Sequence, residues 1–230
     1  MRDASGAMLV LQTPRNGRES DHRDWYVSTH LPDVCAIPGA IHGVFARAGG
    51  RGPASQWSNA ALYWLDRQPG EFLNDLFARV GAGKMELSDT LDPDQTMMTA
   101  AVALTPRRCS SVTLESPDHD RQFYVVLTNA TPGDDDRFNA WYSDVHLGDV
   151  LKVPGFVAAQ RFRLIDHPAL KPCPYRYLAL YEIQGPAADE SLAELTARAG
   201  TEQMVLSPTL DTSAVYAALF AVEGTCGGSG

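Results

Sequence analysis

The sequence predicts an α+β protein built from two tandem copies of one β-α-β-β-α-β unit. The first observation behind this is a repeated motif. Trp25-Tyr26-Val27-Ser28-Thr29-His30-Leu31-Pro32-Asp33-Val34 returns as Trp141-Tyr142-Ser143-Asp144-Val145-His146-Leu147-Gly148-Asp149-Val150, and each copy soon reaches Pro-Gly (Pro38-Gly39, Pro154-Gly155). The second is that the offset of 116 residues holds from Leu11/Leu127 to Arg47/Arg163, widening to 119 by Ala78/Ala197. So long a period marks a duplicated domain, because solenoid repeats run only about 20–50 residues. The third is that strand-like and helix-like stretches alternate in the same order in both copies.

Met8–Thr13 and Phe123–Asn129 are short β-rich runs ending in polar turns, and read as strands. Helical stretches follow over Asp21–Ile37 and Asp136–Val153, each stopped by Pro-Gly. Ile41–Arg47 and Val157–Leu164 read as second strands. Loops rich in Gly or Pro (Ala48–Pro53, Asp166–Pro174) lead to third strands, Ala60–Leu65 and Tyr175–Ile183. Second helices cover Glu71–Val80 and Glu190–Ala199, ending at Gly81 and Gly200, and the last strands are Thr96–Leu104 and Ala214–Val222. This order is the split-βαβ, ferredoxin-like unit, an antiparallel sheet with helices on one face. The other face needs cover, which the second copy can supply. The expected division is residues 1–106 and 122–223 as the two units and 107–121 as linker, with Val112–Leu114 as a possible extra strand. Residues 224–230 are expected to form a flexible tail.

An apolar content of 44% allows each copy a core, and the net charge of −9 argues against nucleic acid or an anionic membrane surface as partner. No apolar run approaches the ~20 residues that span a bilayer. Cys35, Cys109, Cys173 and Cys226 are scattered and unmatched between copies, which reads as free thiols in a reducing cytoplasm.

On a helical wheel, Val27, Leu31, Val34 and Ile37 form the core stripe, with His30 inside it and Tyr26 and Asp33 beside it. Tyr142, His146 and Asp149 repeat the cluster. Pro32 and Gly148 weaken both helices just after the histidine, where a cavity could open. Histidine beside a carboxylate and a phenol titrates near neutral pH and can act as acid or base. The bland alternative is a hydrogen-bonded core histidine. Trp25 and Trp141 fall away from the stripe and read as helix-start or interface residues. The copies differ on their strands: His42, Trp57, Tyr63 and Trp64 in one, Gln160, Arg161, Arg163, Tyr177 and Tyr181 in the other. Alternation sets Arg161 and Arg163 on one face and Gln160 and Phe162 on the other. Copy one's pocket is thus expected to be more aromatic and copy two's more cationic. His30 and Asp33, even with His22, make a poor zinc set, so no metal is expected.

Trp-Tyr-x-x-x-His-Leu-x-Asp-Val followed by Pro-Gly, inside such a unit, resembles the EthD-like branch of the dimeric α+β barrel superfamily. The resemblance covers nearly the whole chain and implies that the two antiparallel sheets pack into an intrachain pseudo-dimeric α+β barrel. It also implies a pocket between sheet and helices, often holding a histidine. Such relatives include polyketide cyclases, lactone isomerases, cofactor-independent oxygenases and tandem haem proteins. The expectation is therefore a cytoplasmic enzyme of the lyase, isomerase, cyclase or cofactor-independent oxygenase type. It would act without a redox cofactor on an aromatic or polyketide-like carbonyl or phenolic compound. His30 and His146 would move the proton, Asp33 and Asp149 orient the imidazoles, and Tyr26 and Tyr142 donate to an enolate oxygen. His42, Tyr63, Trp64, Arg161, Tyr177 and Tyr181 would bind substrate. The alternatives are a haem protein with an axial histidine and a non-catalytic binding module. A homodimer is allowed but not required.

Overall fold

The computed structural model describes residues 4–49, 55–115, 117 and 120–227. Copy one runs β1 (Gly6–Gln12), α1 (Glu19–Trp25), a π-helical turn (Tyr26–His30), α2 (Leu31–Cys35), β2 (Ala40–Ala48), β3 (Asn59–Leu65), α3 (Pro69–Gly81) and β4 (Thr96–Ala103). A two-residue strand, β5 (Arg108–Cys109), precedes copy two. That copy runs β6 (Arg121–Thr128), α4 (Asp135–Trp141), a second π-turn (Tyr142–His146), α5 (Leu147–Leu151), β7 (Phe156–Ile165), β8 (Tyr177–Gln184), α6 (Ala188–Arg198) and β9 (Tyr216–Gly227).

Within the copies the strand orders are β4-β1-β3-β2 and β9-β6-β8-β7, the ferredoxin-like arrangement twice. The two sheets then join edge to edge. β2 pairs β9 over His42–Ala48, and β4 pairs β7 over Ala100–Ala103, closing one antiparallel barrel of eight strands. β5 adds to the same edge of β7, opposite Ala158 and Ala159. Closure removes the exposed edges that a free four-stranded sheet would carry. Strand alternation then decides the layers. Leu9, Leu62, Val125, Phe162 and Phe220 fill the barrel interior, while Met8, Phe45 and Tyr63, and in copy two Val126, Ala159 and Tyr181, face the helices outside. Gln160 lies on the interior side with Phe162, and Arg161 faces the helices, as alternation predicts.

Both Pro-Gly stops are real turns, with Gly39 and Gly155 at φ 95° and 91°, a region open to glycine at little steric cost. After α3, however, the left-handed residue is Gly83, not Gly81, which is still helical. Val112 and Leu114, expected as a short strand, are exposed; the extra strand forms earlier, where Arg108 and Cys109 reach β7. The expected loop Ala48–Pro53 lies partly outside the described residues. Gly224–Gly227, expected in a flexible tail, instead extend β9 along β2. That extension carries Cys226 to the end of α2, where it is disulfide-bonded to Cys35. The free-thiol expectation therefore fails for this pair, and with it the argument from cysteines to a reducing compartment. Cys109 and Cys173 remain free. Among the described residues no helix is long and apolar enough to cross a membrane.

Candidate active site

The site begins with the interruption in the first helix. Leu31 N–H donates to Tyr26 O, five residues back, and Leu147 N–H to Tyr142 O in copy two. A bond of this i→i+5 kind widens one turn, and such turns often mark functional sites. Pro32, which has no N–H to give, sits at the start of α2 after the widened turn. Gly148 holds the same place and the same turn forms, so proline is not its cause. The irregularity thus falls on the histidine's own turn rather than after it.

The wide turn brings residues five apart into line. His30 stacks on Trp25 with ring centroids 4.7 Å apart, and His146 on Trp141 at 4.8 Å. Tyr26 and Tyr142 meet the same imidazoles edge-on. An ideal wheel puts these tryptophans away from the histidines, so their expected role as helix-start or interface residues is corrected. Beneath, Tyr26 Oη lies 3.3 Å from Tyr63 Oη, and Tyr142 Oη 3.0 Å from Tyr181 Oη. Burial pushes Tyr26 up to about 12 and holds Tyr63 and Tyr181 well above the ordinary phenol value, so these groups stay protonated.

The carboxylates do not do what their spacing suggested. Asp149 pairs with Lys152 at 2.8 Å, and among the described residues neither Asp33 nor Asp149 hydrogen-bonds its histidine. Nδ1 of His30 and of His146 is buried without a partner. Burial pushes both imidazoles down to about 4; His22 adds to this at His30, while Asp149 opposes it and Arg161 reinforces it at His146. Titration near neutrality is therefore replaced by a neutral imidazole across the physiological range. Desolvation outweighs a carboxylate that makes no direct bond.

In copy one a cavity of about 320 Å³ opens beside His30, at the small end of the roughly 300–1,000 Å³ of small-molecule sites. Its floor is Met8, Val10 and Gln12 of β1, alternate residues on one strand face. Tyr26, His30, Val34 and Tyr63 form one wall; Leu76 and Phe77 of α3 form another. The roof is Ala169, Leu170 and Lys171 from the β7–β8 loop of copy two. His167 anchors this loop through Asn74 Oδ1, and Lys171 Nζ donates to Pro93 O. The walls are apolar except at one end, where Gln12, the tyrosine pair and His30 converge. Gln12 is 1% exposed; its amide stands close enough to Tyr26 to oppose slightly the upward push on that phenol, yet neither amide atom makes a hydrogen bond of full geometry among the described residues.

Copy two packs a cation beneath its own histidine–tyrosine cluster. Arg161, at the position of Phe45, is fully buried and lies 4.2 Å above the Tyr142 ring, with Phe138 and Tyr177 around it. It donates to Asn139 O, Asn139 Oδ1 and Ser143 Oγ. Tyr177 is held by Asp135 and Asn139. Arg161, Tyr177 and Tyr181, expected to bind substrate, are buried together in one cluster. His42 and Trp64 stand opposite each other in register, and Trp64 packs against Phe123 inside the barrel. They are on the far face of the sheet from the cavity, so they do not line it. Gln12 and the roof were missed by sequence reasoning. Gln12 had a signal, being the polar member of the Met8-Val10-Gln12 face; the roof, from the other copy, had none.

No family profile matches this sequence, and no curated protein is similar to it. Solved structures are. An anthrone oxidase-like protein superposes with a TM-score of 0.66 over 99% of this chain and 94% of its own, at 10% identity. The fold is that of the dimeric α+β barrels. A chlorite dismutase variant from Candidatus Nitrospira defluvii matches at TM-score 0.56 and 11% identity, covering 94% and 91% of the two chains. A protein assigned as a monooxygenase from Lactobacillus acidophilus matches at 0.55 and 8%, covering 97% and 96%. At such identities the likeness is one of fold, and chemistry has to be argued from the site.

Proposed function

We propose that the copy-one cavity is the active site of an EthD-like enzyme that removes a proton from a carbon whose anion is conjugated, directly or through an aromatic ring, with the carbonyl of a small aromatic compound. The observation that carries this is the convergence of unpartnered Gln12 and His30 with the Tyr26–Tyr63 pair at one end of an otherwise apolar cavity. Two phenols have two O–H hydrogens, and their mutual bond uses one, leaving one to donate. That hydrogen and the Gln12 amide N–H groups suit a carbonyl oxygen that becomes an enolate. Neutral His30 is free to accept the proton. Its low basicity is offset as imidazolium and enolate form side by side in a dry site, where opposite charges attract strongly.

An enolate is the common start of isomerisation, cyclisation, dehydration, decarboxylation and reaction with dioxygen. The names of the structural neighbours, an anthrone oxidase-like protein and a monooxygenase, support the last of these for this chain. A haem fits poorly. The cavity is too small for a porphyrin, and among the described residues Lys171 is the one lining cation available to its carboxylates.

Anthrone in D2O buffer tests the reading. Wild type and His146→Gln should accelerate exchange of its acidic C–H, followed by NMR, and His30→Gln should lose at least about 100-fold. Equal exchange by His30→Gln would sink the proposal. An oxygen electrode on the same samples separates oxygenation from the other outcomes.

A further inference from the structure

We infer that a second cavity, at the β4–β7 seam, binds an organic anion: an apolar body bearing a carboxylate. This seam is the shorter of the two barrel joints, pairing Ala100–Ala103 where the other pairs His42–Ala48. Along Thr96–Thr99 the place of a paired strand is taken by the 166–176 loop, and a cavity of about 640 Å³ lies there. Met98, Leu164, Ile165, Leu170 and Tyr175 supply apolar wall.

The charge lining it runs against the charge of the chain. In a protein of net charge −9, Arg163, Lys171 and Arg176 line this cavity against one carboxylate, Asp166. Arg176 is engaged by Asp135, and Lys171 by Pro93 O and, at 3.8 Å, by Asp94. Arg163 has no hydrogen bond or ion pair among the described residues. Thr99 also borders the cavity, but it stands in register with Leu9 on the barrel-interior face of β4, whereas Arg163 stands in register with Val102 on the helix side, so the carboxylate contact rests on Arg163. A guanidinium fork is built for a planar carboxylate, and Lys171 adds a second point charge. None of His30, Gln12 and Tyr26 lines this cavity, so the inference stands apart from the acid/base reading. The two cavities share only Met98, Leu170 and Lys171.

Isothermal titration of the full chain with 1-naphthoate and with its neutral methyl ester decides the matter. Naphthoate should bind and the ester at least about tenfold more weakly. Arg163→Met, a surface substitution, should weaken naphthoate by about tenfold, the scale of one lost charge-assisted hydrogen bond. Thr99→Val, on the other face of the sheet, and His30→Gln should both leave it unchanged. Failure of naphthoate to bind at millimolar concentration overturns the inference. So does equal binding of the ester, an unaffected Arg163→Met, or loss in His30→Gln, which would place the probe in the first cavity.

Discussion

Trp25 and His30 stack face to face with centroids 4.7 Å apart and 23° between ring planes, although five residues separate them on one helix. A regular α-helix turns every 3.6 residues and would splay this pair. Only the π-turn aligns them, and it does so identically at Trp141 and His146. Pro32 lies just beyond it, at the start of a resumed helix where a missing donor matters little. Pro32→Ala should therefore change the unfolding free energy by less than about 1 kcal/mol, not the ~3 kcal/mol of an interior helical proline. Urea denaturation gives the number, and a large gain in stability would show that the proline strains the helix.

Histidine burial sets an acid limb for stability. His22, His30 and His146 are each pushed down to about 4 in the folded chain from an ordinary 6.5. Between those values the unfolded chain binds protons that the folded chain refuses. Stability is thus full above about pH 6.5 and falls as pH drops toward 4, by on the order of 1–3 kcal/mol per histidine. Urea midpoints at three pH values across this window measure the slope. His22→Phe, which copies Phe138 into copy one, should flatten it; an unchanged slope would contradict burial of a neutral His22.

Arg161 is a buried cation with no carboxylate among its hydrogen-bond partners. Arg161→Ala leaves a cavity between Tyr142 and Tyr177 and strips Asn139 and Ser143 of donors, and should cost about 2–4 kcal/mol. Arg161→Met refills much of that volume without a charge to desolvate, and should cost clearly less. If the two variants are equally unstable, the hydrogen bonds rather than the volume hold this core.

The Cys35–Cys226 bond ties copy one's first helix to copy two's last strand across 191 residues of sequence. Cross-links that close loops typically stabilise by about 2–4 kcal/mol. Dithiothreitol should lower the melting temperature of wild type and leave that of Cys35→Ser unmoved. Alkylation of the unreduced, denatured chain should label two cysteines, Cys109 and Cys173; four labels would mean that the bond is absent in solution.

Element order was legible because alternation and helical periodicity are local properties. Met8-Val10-Gln12 and Val27-Leu31-Val34 declare their buried faces within a few residues. The histidine–tyrosine clusters were legible for the same reason, lying on one helix. What those histidines titrate at was not, because desolvation depends on what covers them. The orienting bonds expected of Asp33 and Asp149 do not form, because spacing along a helix does not say which way a short side chain bonds; Asp149 still favours the charged form of His146 through space. His42 and Trp64 were misplaced because face assignment in β2 and β3 depends on the bulge between Ala40 and His42 and on barrel closure.

The sequence by itself determined that this protein is a duplicated α+β unit with a Trp-Tyr…His cluster on the first helix of each copy. The tertiary structure decided where a cavity opens beside a histidine. Position for position, Phe45, His22 and Met8 correspond to Arg161, Phe138 and Tyr124, and only packing shows that Met8 lines a cavity while Arg161 is buried against the Tyr142 ring. It also decided that copy two roofs copy one's cavity and that Cys226 meets Cys35. Both follow from closing two sheets edge to edge, which brings together residues that no local pattern connects.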